Sequence, residues 1–227
     1  MRPRTLLLCT LLAASLPAAA QVSVGIGVAV PGVSIGINLG HYPQFVAVPG
    51  YPVYYAPQAS VNVFFYDGLY WVLADDDWYA STWYDGPWHR VSPYAVPPYV
   101  LRVPVRYYPR PPKYFHGWRN DAPPRWDQHW GPQWQQRRSD WDRPSTPAPP
   151  RAPLPTYQQQ YAGDRYPPPE RQQELHQYNY RYEPHDPVVR EQFHQPPGQD
   201  KNKGNGQGQG QGGKSEGKGK DKGKDKG

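Results

Sequence analysis

Strict alternation is the first pattern to follow the opening apolar run. Val22, Val24, Ile26, Val28 and Val30 point one way, with Ser23, Gly25, Gly27 and Ala29 opposite. After Pro31-Gly32 the period resumes through Val33, Ile35, Ile37 and Leu39. A period of two, carried by β-branched residues and broken by a turn pair, predicts a Gly/Val β-hairpin ribbon over residues 21–40. Its small-residue face would let another backbone approach closely. Two fates are open to it: packing on the neighbouring domain, or exposing an uncharged edge to a membrane or a second copy. A single hairpin cannot close a barrel.

Residues 41–60 are rich in Pro and Tyr and read as an extended linker with its rings laid on a neighbouring surface. Residues 61–91 read as a β-meander. Strands are expected at 61–66, 69–74, 78–84 and 88–91, with turns at Asp67-Gly68, Asp75-Asp76-Asp77 and Asp85-Gly86-Pro87. Tyr66-Asp67-Gly68 recurs as Tyr84-Asp85-Gly86. Prolines at 93, 97, 98, 104, 109, 111 and 112 forbid a long helix and suit an edge strand or a wrapping segment over 100–108. Residues 124–142 read as two helical pieces split at Gly131-Pro132, with Trp126, Trp130 and Trp134 on one face. From Arg143 onward only Leu154, Leu175, Val188, Val189 and Phe193 supply Leu, Ile, Val or Phe mass. That is too little to offset chain entropy, so residues 143–200 and the Lys/Gly-rich 201–227 read as disordered, with at most a transient helical turn at 170–178. The expected fold is mainly β: a small aromatic-rich β-meander over 61–142 with short C-terminal helices, flanked by the ribbon and a long disordered tail.

Residues 1–20 read as an export signal. Arg2 and Arg4 precede a leucine-rich run that ends at Ala18-Ala19-Ala20. The lone Cys9 lies in that run, so the remainder has no thiol for disulfides, redox work or metal. The net charge of +6 sits at the ends. The last 28 residues carry eight lysines against four acids, whereas residues 21–199 carry fifteen charges of each sign. A neutral body argues against nucleic acid as a partner; the tail offers only weak contact with an anionic surface.

Catalytic and metal-binding patterns are absent. Glu does not occur between Gln21 and Pro169, no Gly-x-Ser-x-Gly elbow is present, and no two histidines stand at ligand spacing. Asp75-Asp76-Asp77 reads as a solvated turn and lacks the ligand count of a calcium loop. His116 reads as a packed ring. The reading is therefore of a non-enzyme with no cofactor. Two features could bind something. Trp83, Tyr84 and Trp88 bracket a turn and could form a stacking platform for a glycan or protein partner. Residues 61–89 carry only acids and 90–120 only cations, among them Arg102 and Arg106. Those halves either pair across or leave an arginine face for an anionic glycan or phosphate group.

The order Asp67-Gly68-x-Tyr70-Trp71-Val72, Trp83-Tyr84-x-Gly86-Pro87-Trp88, Arg102-Val103-Pro104-Val105-Arg106 and Tyr114-Phe115-His116-Gly117-Trp118 resembles a group of uncharacterised exported proteins of Gram-negative bacteria. Trp83 to Trp88 also matches, once, the Trp-x-x-Gly-x-Trp pattern of small secreted repeat proteins. The resemblance implies a location in the Gram-negative envelope, periplasmic or outer-membrane-associated, and no catalytic residue. The expected role is binding or scaffolding. Self-assembly or outer-membrane association through the 22–39 hairpin is the alternative.

Overall fold

A six-stranded antiparallel sheet in simple sequential order forms the centre of the computed structural model, which describes residues 36–143 and 148–193. The strands are β1 (Val46–Ala47), β2 (Val53–Tyr55), β3 (Asn62–Tyr66), β4 (Leu69–Ala74), β5 (Asp77–Ser81) and β6 (His89–Val91). Two-residue turns set the central register. Tyr66 pairs with Leu69 across Asp67-Gly68, and Ala74 pairs with Asp77 across Asp75-Asp76. Asp67, Asp75 and Asp76 all take positive φ (50°, 46° and 71°), the backbone that twisted hairpin turns require and that Asp tolerates. β5 stops three residues short of the expected Tyr84 because the Ser81 hydroxyl accepts the Trp83 N–H at 3.0 Å and ends the ladder. The fold is mainly β with short helices, as expected.

Both faces of the sheet are covered. On one, Phe64, Tyr66, Leu69, Trp71, Leu73 and Trp78 are buried against residues 96–141. That cover contains α1 (Pro98–Leu101), 3-10 turns at Val105–Tyr107 and Lys113–Phe115, and α2 (Trp126–Arg137). Residues 100–108 are thus a wrapping segment and not an edge strand, since Pro98 at the first helical position starts a helix instead. α2 breaks at Gly131, whose φ of 79° with ψ of −179° divides it into the two pieces expected. Trp130 stacks on Trp126 at 4.5 Å and meets Trp134 at 4.9 Å. The Trp126 indole also donates to the Leu101 carbonyl at 2.9 Å, tying α2 to α1.

The other face carries Val63, Phe65, Tyr70 and Val72, and two segments read from the sequence as unstructured cover it. Residues 41–60 are not a linker: β1 and β2 join the sheet, with Val53 opposite Tyr66, while Tyr42, Phe45 and Tyr54 pack on this face. Residues 148–193, expected to be disordered, run mainly across the same face, while Val189 and Phe193 near their end pack with the cluster on the first face. They include α3 (Pro169–Asn179) and α4 (Pro187–Phe193). Tyrosine and glutamine supply what aliphatic residues do not. Tyr157, Tyr166, Tyr180 and Tyr182 join the buried cluster, and each ring can bury roughly 150–250 Å². Fully buried Gln158 accepts from Tyr70 Oη (2.9 Å) and the Tyr84 N–H (3.2 Å), and it donates to the Thr82 carbonyl (2.9 Å) and Tyr157 Oη (3.0 Å). The expected export signal (1–20), the ribbon over 22–35 and the tail beyond 193 lie outside the described residues. Residues 36–39 are described and form no strand.

Candidate functional site

The repeated Tyr-Asp-Gly turns are where the chain's own later segment is held. At the first turn, Asp67 is buried. Its Oδ1 accepts from Tyr182 Oη (2.7 Å) and the His185 N–H (3.1 Å), and its Oδ2 accepts from the Asp186 N–H (2.7 Å). Asp186 in turn accepts from Tyr66 Oη at 3.2 Å and from the Val188 N–H at 2.9 Å, where α4 begins. Burial pushes the Asp186 carboxyl above the usual carboxylate range. Asp67→Asn keeps a residue that tolerates positive φ but turns one acceptor into a donor facing a backbone N–H. The expected cost is about 1–2 kcal/mol, read as a lower urea midpoint together with faster amide exchange at His185 and Asp186.

At the second turn, Asp85 accepts from the Leu39 N–H at 2.6 Å, while its own N–H donates to Tyr166 Oη at 3.0 Å. Tyr166 Oη then donates to the Gly86 carbonyl at 2.7 Å. Burial raises the Asp85 carboxyl as well. Gly86 has a φ of 89°, and a Cβ there would meet the Trp88 ring at 2.8 Å, so only glycine fits.

This turn removes the expected stacking platform from solvent. Trp83 and Tyr84 are 0 % exposed and Trp88 2 %. Trp83 is ringed edge-on by Tyr157, Tyr161 and Tyr166 at 5.5–5.8 Å and donates its indole N–H to the Gln172 carbonyl at 3.1 Å. Tyr84 Oη donates to the Tyr161 carbonyl. Their partner is the chain itself, so no incoming ring can stack on them.

The two sequence-selected arginines part company. Arg102 is 5 % exposed. Its guanidinium lies 4.3 Å from the Tyr99 ring centroid, and its Nε donates to the Pro98 carbonyl at 3.2 Å, so it serves the packing of α1. Arg106 is exposed, as are Arg110 and Lys113 further along the same segment. The ion pairs among the described residues are Arg90–Asp77, Arg119–Asp121, His129–Asp76 and the longer His185–Asp67. Among the described residues, pairing between the acidic and basic halves therefore occurs only at Asp77–Arg90, Asp76 being taken by His129 beyond the basic run, and Arg106, Arg110 and Lys113 have no carboxylate within 4 Å. His116, expected to pack, is exposed.

Sequence reasoning missed the recess beside these cations. A cleft of about 480 Å³ opens between the Asp75-Asp76 turn and residues 110–114, floored by Asn62 and Leu73 and bordered by Tyr79. The only hint in the sequence was the acidic-then-basic layout, which places a carboxylate turn and a cationic strap on facing sides. Among the described residues no cluster of three His, Cys, Asp or Glu could hold a metal ion, and no helix is long and apolar enough to cross a membrane. No family model, curated protein or solved structure matches the chain.

Proposed function

We propose that this is a non-enzymatic, exported envelope protein that acts as a binding or scaffolding module for an anionic partner such as an envelope glycan or an acidic protein surface. The supporting observation is the exposed run Arg106, Arg110 and Lys113, none of which forms an ion pair within 4 Å among the described residues. Exposed cations held on a rigid segment attract anions at long range and fix their orientation at short range. The lysine-rich tail adds a second, weaker attraction of the same sign. The buried aromatic residues build the scaffold and leave recognition to the charged face.

The test is retention on immobilised polygalacturonate against neutral dextran, with rising salt. The full chain should bind the polyanion only, and binding should weaken with salt. The triple variant Arg106→Gln, Arg110→Gln, Lys113→Gln should lose about tenfold in affinity, equivalent to ~1.4 kcal/mol spread over three exposed contacts. Equal retention on dextran, or an unaffected triple variant, would refute the reading.

A further inference from the structure

The geometry points to the cleft between the Asp75-Asp76 turn and residues 110–114 as a binding site for a single acidic sugar residue, of the hexuronic acid class. This rests on the proposed anion-binding role and narrows it to one place and one ligand chemistry. The volume of about 480 Å³ falls within the roughly 300–1,000 Å³ of small-molecule sites.

Both walls are held in place before any ligand arrives. On the basic wall, Asn62 clamps the backbone of Arg110: its Oδ1 accepts the Arg110 N–H at 2.9 Å and its Nδ2 donates to the Arg110 carbonyl at 2.6 Å. The backbone is fixed while the guanidinium stays exposed. On the acidic wall, Asp76 Oδ1 is held by His129 Nε2 at 2.7 Å, and the His129 ring stacks flat on Tyr114 at 3.9 Å with 7° between the planes. That stack joins α2 to the strap, so the two walls cannot drift apart independently. Tyr114 Oη is shielded from solvent, has no well-aligned hydrogen bond and sits close to Asp76.

The lining selects its occupant by chemistry. Arg110 and Lys113 offer charged donors that match a carboxylate. Asp75 only accepts, which suits the hydroxyls of a sugar ring, while Asp76 is engaged by His129 and lies beside the Tyr114 hydroxyl. Tyr79 and Tyr114 supply ring surface beside them. Inorganic phosphate would satisfy the cations but lacks the row of hydroxyl donors that a sugar ring turns towards the aspartates. An apolar molecule would strip water from four charged groups and return no hydrogen bond. A neutral sugar would leave the cations unused. A ring bearing one carboxylate and several hydroxyls answers both walls.

The experiment is titration of the full chain with D-galacturonate, D-glucose, D-glucosamine and inorganic phosphate, followed by amide shifts in 1H–15N spectra. Galacturonate should shift the amides of Asp75, Asp76, Tyr79, Arg110 and Lys113 saturably, with the other three probes at least tenfold weaker. Arg110→Gln and, separately, Asp75→Asn should each weaken it by about tenfold. Both side chains are exposed, so otherwise superimposable spectra will show that the variants fold. Absence of saturable shifts, equal shifts from phosphate or glucose, or indifference to either substitution overturns the assignment. If galacturonate fails while polygalacturonate is still retained through Arg106 and the tail, the cleft is wrong and the broader anion-binding role stands; loss of both ends both.

Discussion

Gln158→Leu should destabilise the fold by about 4 kcal/mol. Gln158 is fully buried and satisfies four groups at once: Tyr70 Oη, the Tyr84 N–H, the Thr82 carbonyl and Tyr157 Oη. Leucine is close in volume but leaves Tyr70 Oη, the Tyr84 N–H and the Thr82 carbonyl facing hydrocarbon, while Tyr157 Oη keeps His176 Nδ1 at 2.8 Å. Each stranded buried group costs roughly 1–3 kcal/mol, and partial relaxation brings the sum down from its upper limit. Urea unfolding followed by tryptophan fluorescence measures the loss. Digestion with trypsin adds the location: cleavage after Arg165 and Arg171 should accelerate more than cleavage within residues 96–141. A variant with unchanged midpoint and digestion pattern would show that this amide is not the joint between the layers.

Acidification should weaken the same layer. His176 on α3 is 5 % exposed, its Nδ1 lies 2.8 Å from Tyr157 Oη, and its Nε2 has no hydrogen-bond partner. Tyr180 and Phe193 pack against the ring at 5.1 and 5.5 Å. Burial pushes its pKa down from 6.5 to about 4. Between those values the unfolded chain binds a proton that the folded chain does not, so stability falls as pH drops from 6.5 towards 4. The contribution is complete above pH 6.5, and the loss across the window is about 3 kcal/mol. Asp85 and Asp186 act in the opposite sense, because burial raises both and the folded chain takes up their protons first. The histidine is therefore isolated by difference. Urea midpoints of the native chain and of His176→Gln, measured from pH 7 to pH 4.5, should diverge steadily below pH 6.5. Parallel curves would remove His176 from the account.

The meander was legible because its signals are local. β4 spans the residues its apolar run marked, and Asp67-Gly68 closes the hairpin that such a pair favours. The second layer was not legible by the same means. Counting Leu, Ile, Val and Phe after residue 143 ignores six tyrosines between 157 and 182, and it ignores glutamine as a buried hydrogen-bonding joint. One available sign did point to it. In β3 and β4 nearly every residue is apolar or aromatic on both sides of the pleat, which a sheet wet on one face does not need. Residues 96–141 cover only one face, so a second cover had to come from the rest of the chain. The Tyr-Asp-Gly echo was visible as repetition, but its meaning depends on the partners of Asp67 and Asp85, which lie about 118 and 46 residues away in sequence.

The expected aromatic platform is covered for a related reason. Trp83, Tyr84 and Trp88 flank a turn, and turns face water unless something covers them; here Tyr161, Tyr166 and Gln172 do. Arg102 and Arg106 stand four residues apart in a run of cations, and nothing local separates the one that lies over Tyr99 from the one that reaches solvent. The cleft needs Asn62 to bring Arg110 opposite Asp75-Asp76, a contact 48 residues long in sequence.

Amide exchange at Gln158, Gln172 and Tyr180, compared with Phe64 and Val72 in the sheet, is the most direct test of the cover that residues 148–193 form. If residues 148–193 are a structural layer, their protected amides should open with free energies close to those of β3 and β4. Exchange there at the rate of an unstructured chain, with the sheet still protected, would contradict it.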